Sequence, residues 1–210
     1  MMDENEEVNG ENIKVTLLGN TGVGKTCIIK MFTEGKFEAV SSTSGASYSQ
    51  KPLVIDNTNV TLDLWDTAGQ EKYRSLGRRF YKDAYIVILV YDITNHKSFE
   101  ELKEKWYNDL KTYGEKYTVI GVIGNKMDCY EQEEVSEEEA KEYAKSINAI
   151  FMLTSAKTGD NVDVLFETLA RKYLGPDFIK KVQEMKQDKG ETTKITEKNT
   201  VEKQKTKKCC

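Results

Sequence analysis

Gly19-Asn20-Thr21-Gly22-Val23-Gly24-Lys25-Thr26 (GNTGVGKT) follows the apolar run Ile13-Lys14-Val15-Thr16-Leu17-Leu18 and precedes Ile28, Ile29 and Phe32 at helical spacing. The stretch predicts a strand, a glycine-rich turn and a helix over Lys25 to Thr33. Glycines let backbone N–H groups approach a polyphosphate, and the start of a helix adds positive potential. Asn20, Thr21, Gly22, Val23, Gly24, Lys25, Thr26 and Cys27 are then the phosphate-binding stretch, with Lys25 on the outer phosphates and Thr26 a Mg²⁺ ligand. Alone, the loop fits an NTPase or a kinase and leaves the nucleotide open.

Downstream, Ser47 to Ile55 and Asn59 to Asp66 read as strands around Asp56-Asn57-Thr58-Asn59, residues that tolerate tight turns, and so as a hairpin. Ala84 to Tyr91 (AYIVILVY), Val119 to Gly124 (VIGVIG) and Ala149 to Leu153 (AIFML) are too continuously apolar for a half-exposed sheet and predict strands covered on both faces. Phe99 to Tyr113, Ser136 to Ser146 and Val162 to Tyr173 carry helical patterning, and Ser136 followed by Glu139 resembles a capping box. This alternation predicts an α/β doubly wound fold of the P-loop NTPase type.

At 210 residues the chain suits one domain with tails. Its net charge of −4 conceals a polarity: Met1 to Glu11 carries acids and no base, whereas Lys180 to Lys208 carries ten lysines against five acids. Residues 1–11 are expected to be a disordered acidic N-terminus, 12–175 the domain, and 176–210 a basic tail, with Asp188 to Cys210 too poor in apolar residues to order. Cys27 and Cys129 lie singly and Cys209-Cys210 adjoin, which is no disulfide framework and fits a reducing compartment. No apolar run reaches the roughly 18 residues of a membrane span. Acids interspersed in the tail and its lack of stacking aromatics argue against nucleic acid as a partner.

Three further segments complete a ligand site. Asp66, ending a strand within Asp66-Thr67-Ala68-Gly69-Gln70-Glu71, can reach the magnesium, Gly69 can give its N–H to a γ-phosphate, and Gln70 can orient an attacking water. Asn125-Lys126-Met127-Asp128 and Thr154-Ser155-Ala156-Lys157 read the base instead. Guanine offers paired donors that one carboxylate, Asp128, can accept. Asn125 would hold the loop and touch the base edge, Lys126 would lay its stem on the ring, and the Ala156 N–H, between Ser155 and Lys157, would donate to the guanine carbonyl. His96, the lone histidine, is expected in a surface turn with no catalytic role. Cys27 is expected to pack rather than to act as a nucleophile.

In these segments, and in WDTAGQEKYRSL from Trp65, FYKDA from Phe80 and LVYDIT from Leu89, the chain resembles the Ras superfamily of small GTPases and, within it, the Rab family, over Ile13 to Tyr173. The resemblance implies the small-GTPase fold, a mostly parallel six-stranded sheet flanked by helices, and a switch that binds GTP or GDP with Mg²⁺ and hydrolyses GTP. It implies Lys25 and Gln70 as catalytic, Phe37 against the guanine, Thr43 as a further magnesium ligand, and Tyr48, Trp65 and Phe80 as the surface effectors read, although ordinary core packing would also explain that triad. It implies as partners a nucleotide exchange factor, a GTPase-activating protein, a GDP-dissociation inhibitor, a prenylation escort protein and effectors. The ending Lys207-Lys208-Cys209-Cys210 resembles the double-cysteine site for two geranylgeranyl groups, implying a lipid-anchored protein of a cytoplasmic endomembrane face with a cytosolic pool.

The chain departs from the pattern in the first switch, where Thr43-Ser44-Gly45 stands for Thr-Ile-Gly and Phe37 to Thr43 is one residue short. Counting back from Asp66 selects Thr43 as the ligand; counting forward from Phe37 selects Ser44. A GTP-binding scaffold with negligible hydrolysis is the alternative this shortening leaves. Thr21 replaces a residue that is often Gly in Ras proteins and Ser in Rabs.

Overall fold

Six strands make one sheet in the order β2-β3-β1-β4-β5-β6: β1 (Glu11–Leu18), β2 (Ala46–Ile55), β3 (Thr58–Thr67), β4 (Ile86–Asp92), β5 (Val119–Asn125) and β6 (Ile150–Thr154). The structure, a computed structural model, describes residues 11–40, 43, 45–67, 82–115 and 118–176. Every neighbouring pair is parallel except β2 with β3. All seven residues of β4 are buried, the consequence of helices on both faces of a central parallel strand. The expectation of two-face cover fails at β6, four of whose five residues are only partly buried, because β6 is an edge of the sheet.

The hairpin turn is tighter than its sequence suggests. Asp56 and Asn57 alone close it, both at positive φ (47° and 65°), while Thr58 and Asn59 already belong to β3. Two left-handed residues give the turn whose twist matches the strands it joins.

Helix α1 (Lys25–Glu34) and the last helix, α5 (Val162–Leu174), share one face of the sheet, where Phe32 stacks on Phe166 with ring centroids 3.9 Å apart. The other face carries α2 (His96–Glu101), a π-type turn (Leu102–Trp106), α3 (Tyr107–Tyr113) and α4 (Glu137–Ser146). Their core includes Val87, Leu89, Tyr91, Phe99, Leu102, Trp106, Leu110 and Val122. His96 is the first residue of α2 rather than part of a turn. At α4 the cap is half of the expected box: Ser136 accepts the Glu139 N–H at 3.2 Å, but the Glu139 carboxylate lies 3.6 Å from Lys103.

The residues up to Tyr173 form one compact unit; of Leu174–Cys210 only 174–176 are described. Among the described residues no helix is long and apolar enough to cross a membrane. The strand order turns at β1, flanked by β3 and β4, so a ligand site is expected beyond the carboxyl ends of these strands.

Candidate nucleotide site

The glycine-rich turn leaves the end of β1 and enters α1 through three positive-φ glycines, Gly19 (148°), Gly22 (82°) and Gly24 (100°). Crowding also demands two of them: a Cβ on Gly19 would stand 2.2 Å from the Val90 carbonyl oxygen, and one on Gly24 2.2 Å from Asn125 Nδ2. At Gly22 such an atom would meet nothing within 4 Å.

Lys25, first residue of α1 and 5% exposed, folds back over the turn, where Nζ donates to the carbonyls of Gly19 and Asn20, each at 2.8 Å. Burial pulls this ammonium down to about 8, against the opposing pull of Asp66. The group is a cation held in a dry setting by two weak acceptors, ready to exchange them for phosphate oxygens.

Thr26 draws the expected metal ligands together. Its hydroxyl donates to Asp66 Oδ2 at 2.5 Å and lies 2.8 Å from the hydroxyl of Thr43. Ser44 lies outside the described residues. Asp66 is 1% exposed, and its other oxygen, Oδ1, is buried with no hydrogen-bond partner. Burial lifts the Asp66 carboxyl above the usual range, although Thr26 and Lys25 favour its charge. Two hydroxyls and a carboxylate with an unsatisfied buried oxygen are hard oxygen donors, a set that fits Mg²⁺.

The segments expected to read the base meet at the ends of β5 and β6. Asn125, 1% exposed, donates from Nδ2 to the Val23 carbonyl at 2.8 Å, and its Oδ1 accepts from the Ala156 N–H (3.1 Å) and the Thr154 hydroxyl (3.3 Å). The amide thus ties the glycine-rich turn to the segment Thr154–Lys157. The Ala156 N–H, expected to face the guanine carbonyl, is engaged by Asn125 here. Asp128 Oδ1 accepts from the Ser155 hydroxyl at 2.6 Å, and Lys157 Nζ lies 3.6 Å from Oδ2. Burial works against the Asp128 charge, but Ser155, the residue's own backbone and its neighbours outweigh it and hold the carboxyl below its usual range.

The Ras family model matches residues 14–175, a span that contains every one of these side chains. The chain is 42% identical over 164 residues to Ras-related protein Rab5A of Oryza sativa subsp. japonica, covering 78% of this chain and 80% of that protein. It is 40% identical over 158 residues to human Ras-related protein Rab-30, covering 75% of this chain and 77% of that one. The chain belongs to the Rab family of the Ras superfamily. It is also 41% identical over 160 residues to Ras-related protein Rab-26 of Rattus norvegicus, with 75% of this chain covered but only 62% of that relative's length.

One residue of this candidate site, Asp92, was not singled out from the sequence. Asp92, at the end of β4, accepts from Lys126 Nζ at 2.5 Å and from the Thr94 N–H at 2.9 Å, fixing a lysine whose backbone sits at a positive φ of 69°. A buried acid ending an apolar strand was the available signal. The side chain of Asn20 bonds to Trp106 and Glu101, leaving its backbone as the part of the residue that faces the turn. Cys27 is partly exposed, with its thiol 3.5 Å from the Glu38 carbonyl. Phe37 is 43% exposed.

Tyr48 is 49% exposed, so core packing does not explain it; its ring lies 5.1 Å from that of Trp65 across the β2–β3 pair, and its hydroxyl donates to Asp63 at 2.8 Å. Gly69, Gln70, Phe80, Cys209 and Cys210 lie outside the described residues.

Proposed function

We propose that the protein is a GTP/GDP switch that hydrolyses GTP and acts in intracellular vesicle trafficking. The observation that carries this reading is the convergence of Thr26, Thr43 and Asp66: the Thr26 hydroxyl is within hydrogen-bond distance of both Thr43 and Asp66 Oδ2, and the other Asp66 oxygen is buried without a partner.

Lys25 exchanges its two carbonyl acceptors for the outer phosphates, and the backbone of Thr21 to Gly24 offers N–H groups to the rest. Thr26, Thr43 and Asp66 would hold Mg²⁺, which when bound offsets charge on the phosphate oxygens. Asp128 accepts the paired guanine donors, Lys126 covers the ring with Phe37, and Gln70 orients the water for in-line attack on the γ-phosphate. Thr43 and Gly69 bind the γ-phosphate state, so its loss frees both switch segments and discharges effectors reading Tyr48, Trp65 and Phe80.

An exchange factor, a GTPase-activating protein, a GDP-dissociation inhibitor and a prenylation escort are the partners of such a cycle. Two geranylgeranyl groups on Cys209 and Cys210, helped by the basic tail, would anchor the protein to the cytoplasmic face of an endomembrane, one chain alone being a marginal anchor. Unchanged membrane association of Cys209→Ser/Cys210→Ser would sink the anchor.

The deciding experiment is single-turnover hydrolysis of GTP with Mg²⁺, comparing wild type with Gln70→Leu. Slow turnover abolished by the substitution is expected. Bound GTP with no turnover in either protein would overturn hydrolysis and leave a scaffold.

A further inference from the structure

Asn20 stands second in the phosphate turn, yet its side chain reaches partners 81 and 86 positions downstream. Oδ1 accepts the Trp106 indole N–H at 2.7 Å, and Nδ2 donates to Glu101 Oε2. The other oxygen of Glu101 accepts Lys105 Nζ at 2.8 Å, which neutralises an acid that would otherwise stand unpaired beside a phosphate turn. The Asn20 carbonyl is at the same time one of the two acceptors of Lys25 Nζ. The side-chain tether and the lysine's resting place therefore share one residue.

The helix is built to reach Asn20 twice. Glu101 and Trp106 are five residues apart, and in a straight α-helix they would diverge by about 140° around the axis. Here the Tyr107 N–H bonds back to the Leu102 carbonyl, an i→i+5 turn that swings residues five apart toward the same face. Both side chains then meet a single amide. Trp106 is 6% exposed, so its indole N–H loses access to water and depends on Asn20.

We propose that the Asn20 side chain latches the phosphate turn to the helical run His96–Tyr113, making Trp106 and Glu101 positioning residues for nucleotide retention. This rests on the nucleotide-binding reading above. Movement of that run, whose outer residue Glu104 is exposed, would then be transmitted to Lys25 through the Asn20 carbonyl.

The test is release of a fluorescent GDP analogue from the full chain with Mg²⁺, chased by excess GDP. Asn20→Ala and Trp106→Phe should each speed release about fivefold, the weight of one hydrogen bond, and the double variant should be no faster than the faster single. Leu110→Ala, a buried change on the same run that does not touch Asn20, should lower the unfolding temperature and leave release unchanged. Equal acceleration by Leu110→Ala, or effects of the two latch substitutions that multiply, would show packing alone and overturn the latch.

If Trp106→Phe fails to fold, Asn20→Asp sets a carboxylate against Glu101 and should speed release, and adding Glu101→Gln should restore it; no restoration overturns the proposal. Wild type that retains no GDP analogue would instead overturn the nucleotide-binding reading, before any variant is compared.

Discussion

The hydroxyls of Thr26 and Thr43 lie 2.8 Å apart, although seventeen positions separate them. Thr26 also donates to Asp66, so the first turn of α1, Thr43 and the end of β3 meet at one point. The shortened stretch after Phe37 still delivers a threonine hydroxyl to the Thr26 hydroxyl that bonds the acid.

Thr43→Ala should weaken Mg²⁺ binding in the GTP-bound protein by about tenfold, the weight of one contact to a charged group. Ser44→Ala should leave it within about twofold. Magnesium titration of both variants loaded with a non-hydrolysable GTP analogue is the measurement; the opposite ranking would move the ligand to Ser44.

Asn125→Ala should cost the nucleotide-free protein about 2–3 kcal/mol, because it strands the buried Val23 carbonyl, the Ala156 N–H and the Thr154 hydroxyl together. Thr154→Val removes a single 3.3 Å bond from the same amide and should cost about 1 kcal/mol. Urea denaturation without nucleotide separates them, and equal losses would mean that Asn125 is not the bridge.

What could be read from the chain follows from how local each signal is. β4 and β5 were legible because apolar runs covered on both faces need only their own residues, and the α4 start because Ser136 and the N–H it caps are three apart. The partial exposure of β6 depends on its having no outer neighbour in the sheet, which no local pattern records. The residue types of the candidate site were readable, since phosphate, magnesium and guanine would each demand particular donors. Their pairings were less so: Asn125 on Val23 spans 102 positions, and Asn20 on Trp106 spans 86 across a turn that shifts the helical spacing.

Nucleotide affinity should fall as pH rises through 8. Burial holds free Lys25 at about 8 against 10.5 for an ordinary lysine, and a polyphosphate at Nζ restores the charged form. Above pH 8 the bound state therefore holds more protons than the free one, and up to about fivefold in affinity should be lost between pH 8 and 9. In the unliganded fold the sign reverses: between 8 and 10.5 the unfolded chain holds the extra proton, so stability rises with pH in that window. Titrating a fluorescent GDP analogue from pH 7 to 9 checks the first, and a flat profile would contradict it.

Gly22→Ala and Gly24→Ala should differ in kind. Both glycines sit at positive φ, where a side chain costs about 1 kcal/mol. At Gly22 that strain is the whole cost to the empty protein, since the new methyl meets nothing within 4 Å. At Gly24 the methyl would also lie 2.2 Å from Asn125 Nδ2, forcing that amide off the Val23 carbonyl and compounding strain with the stranded partners of Asn125. Gly24→Ala should therefore lose about 3 kcal/mol or more of stability without nucleotide, and Gly22→Ala about 1. Polyphosphate affinity should drop in both, because the space beside Gly22 is where backbone N–H groups and phosphate must come together. Denaturation without nucleotide, paired with GDP titration, distinguishes them; a Gly22→Ala protein as unstable as Gly24→Ala would show that the turn's shape rests on something other than the Asn125 bridge.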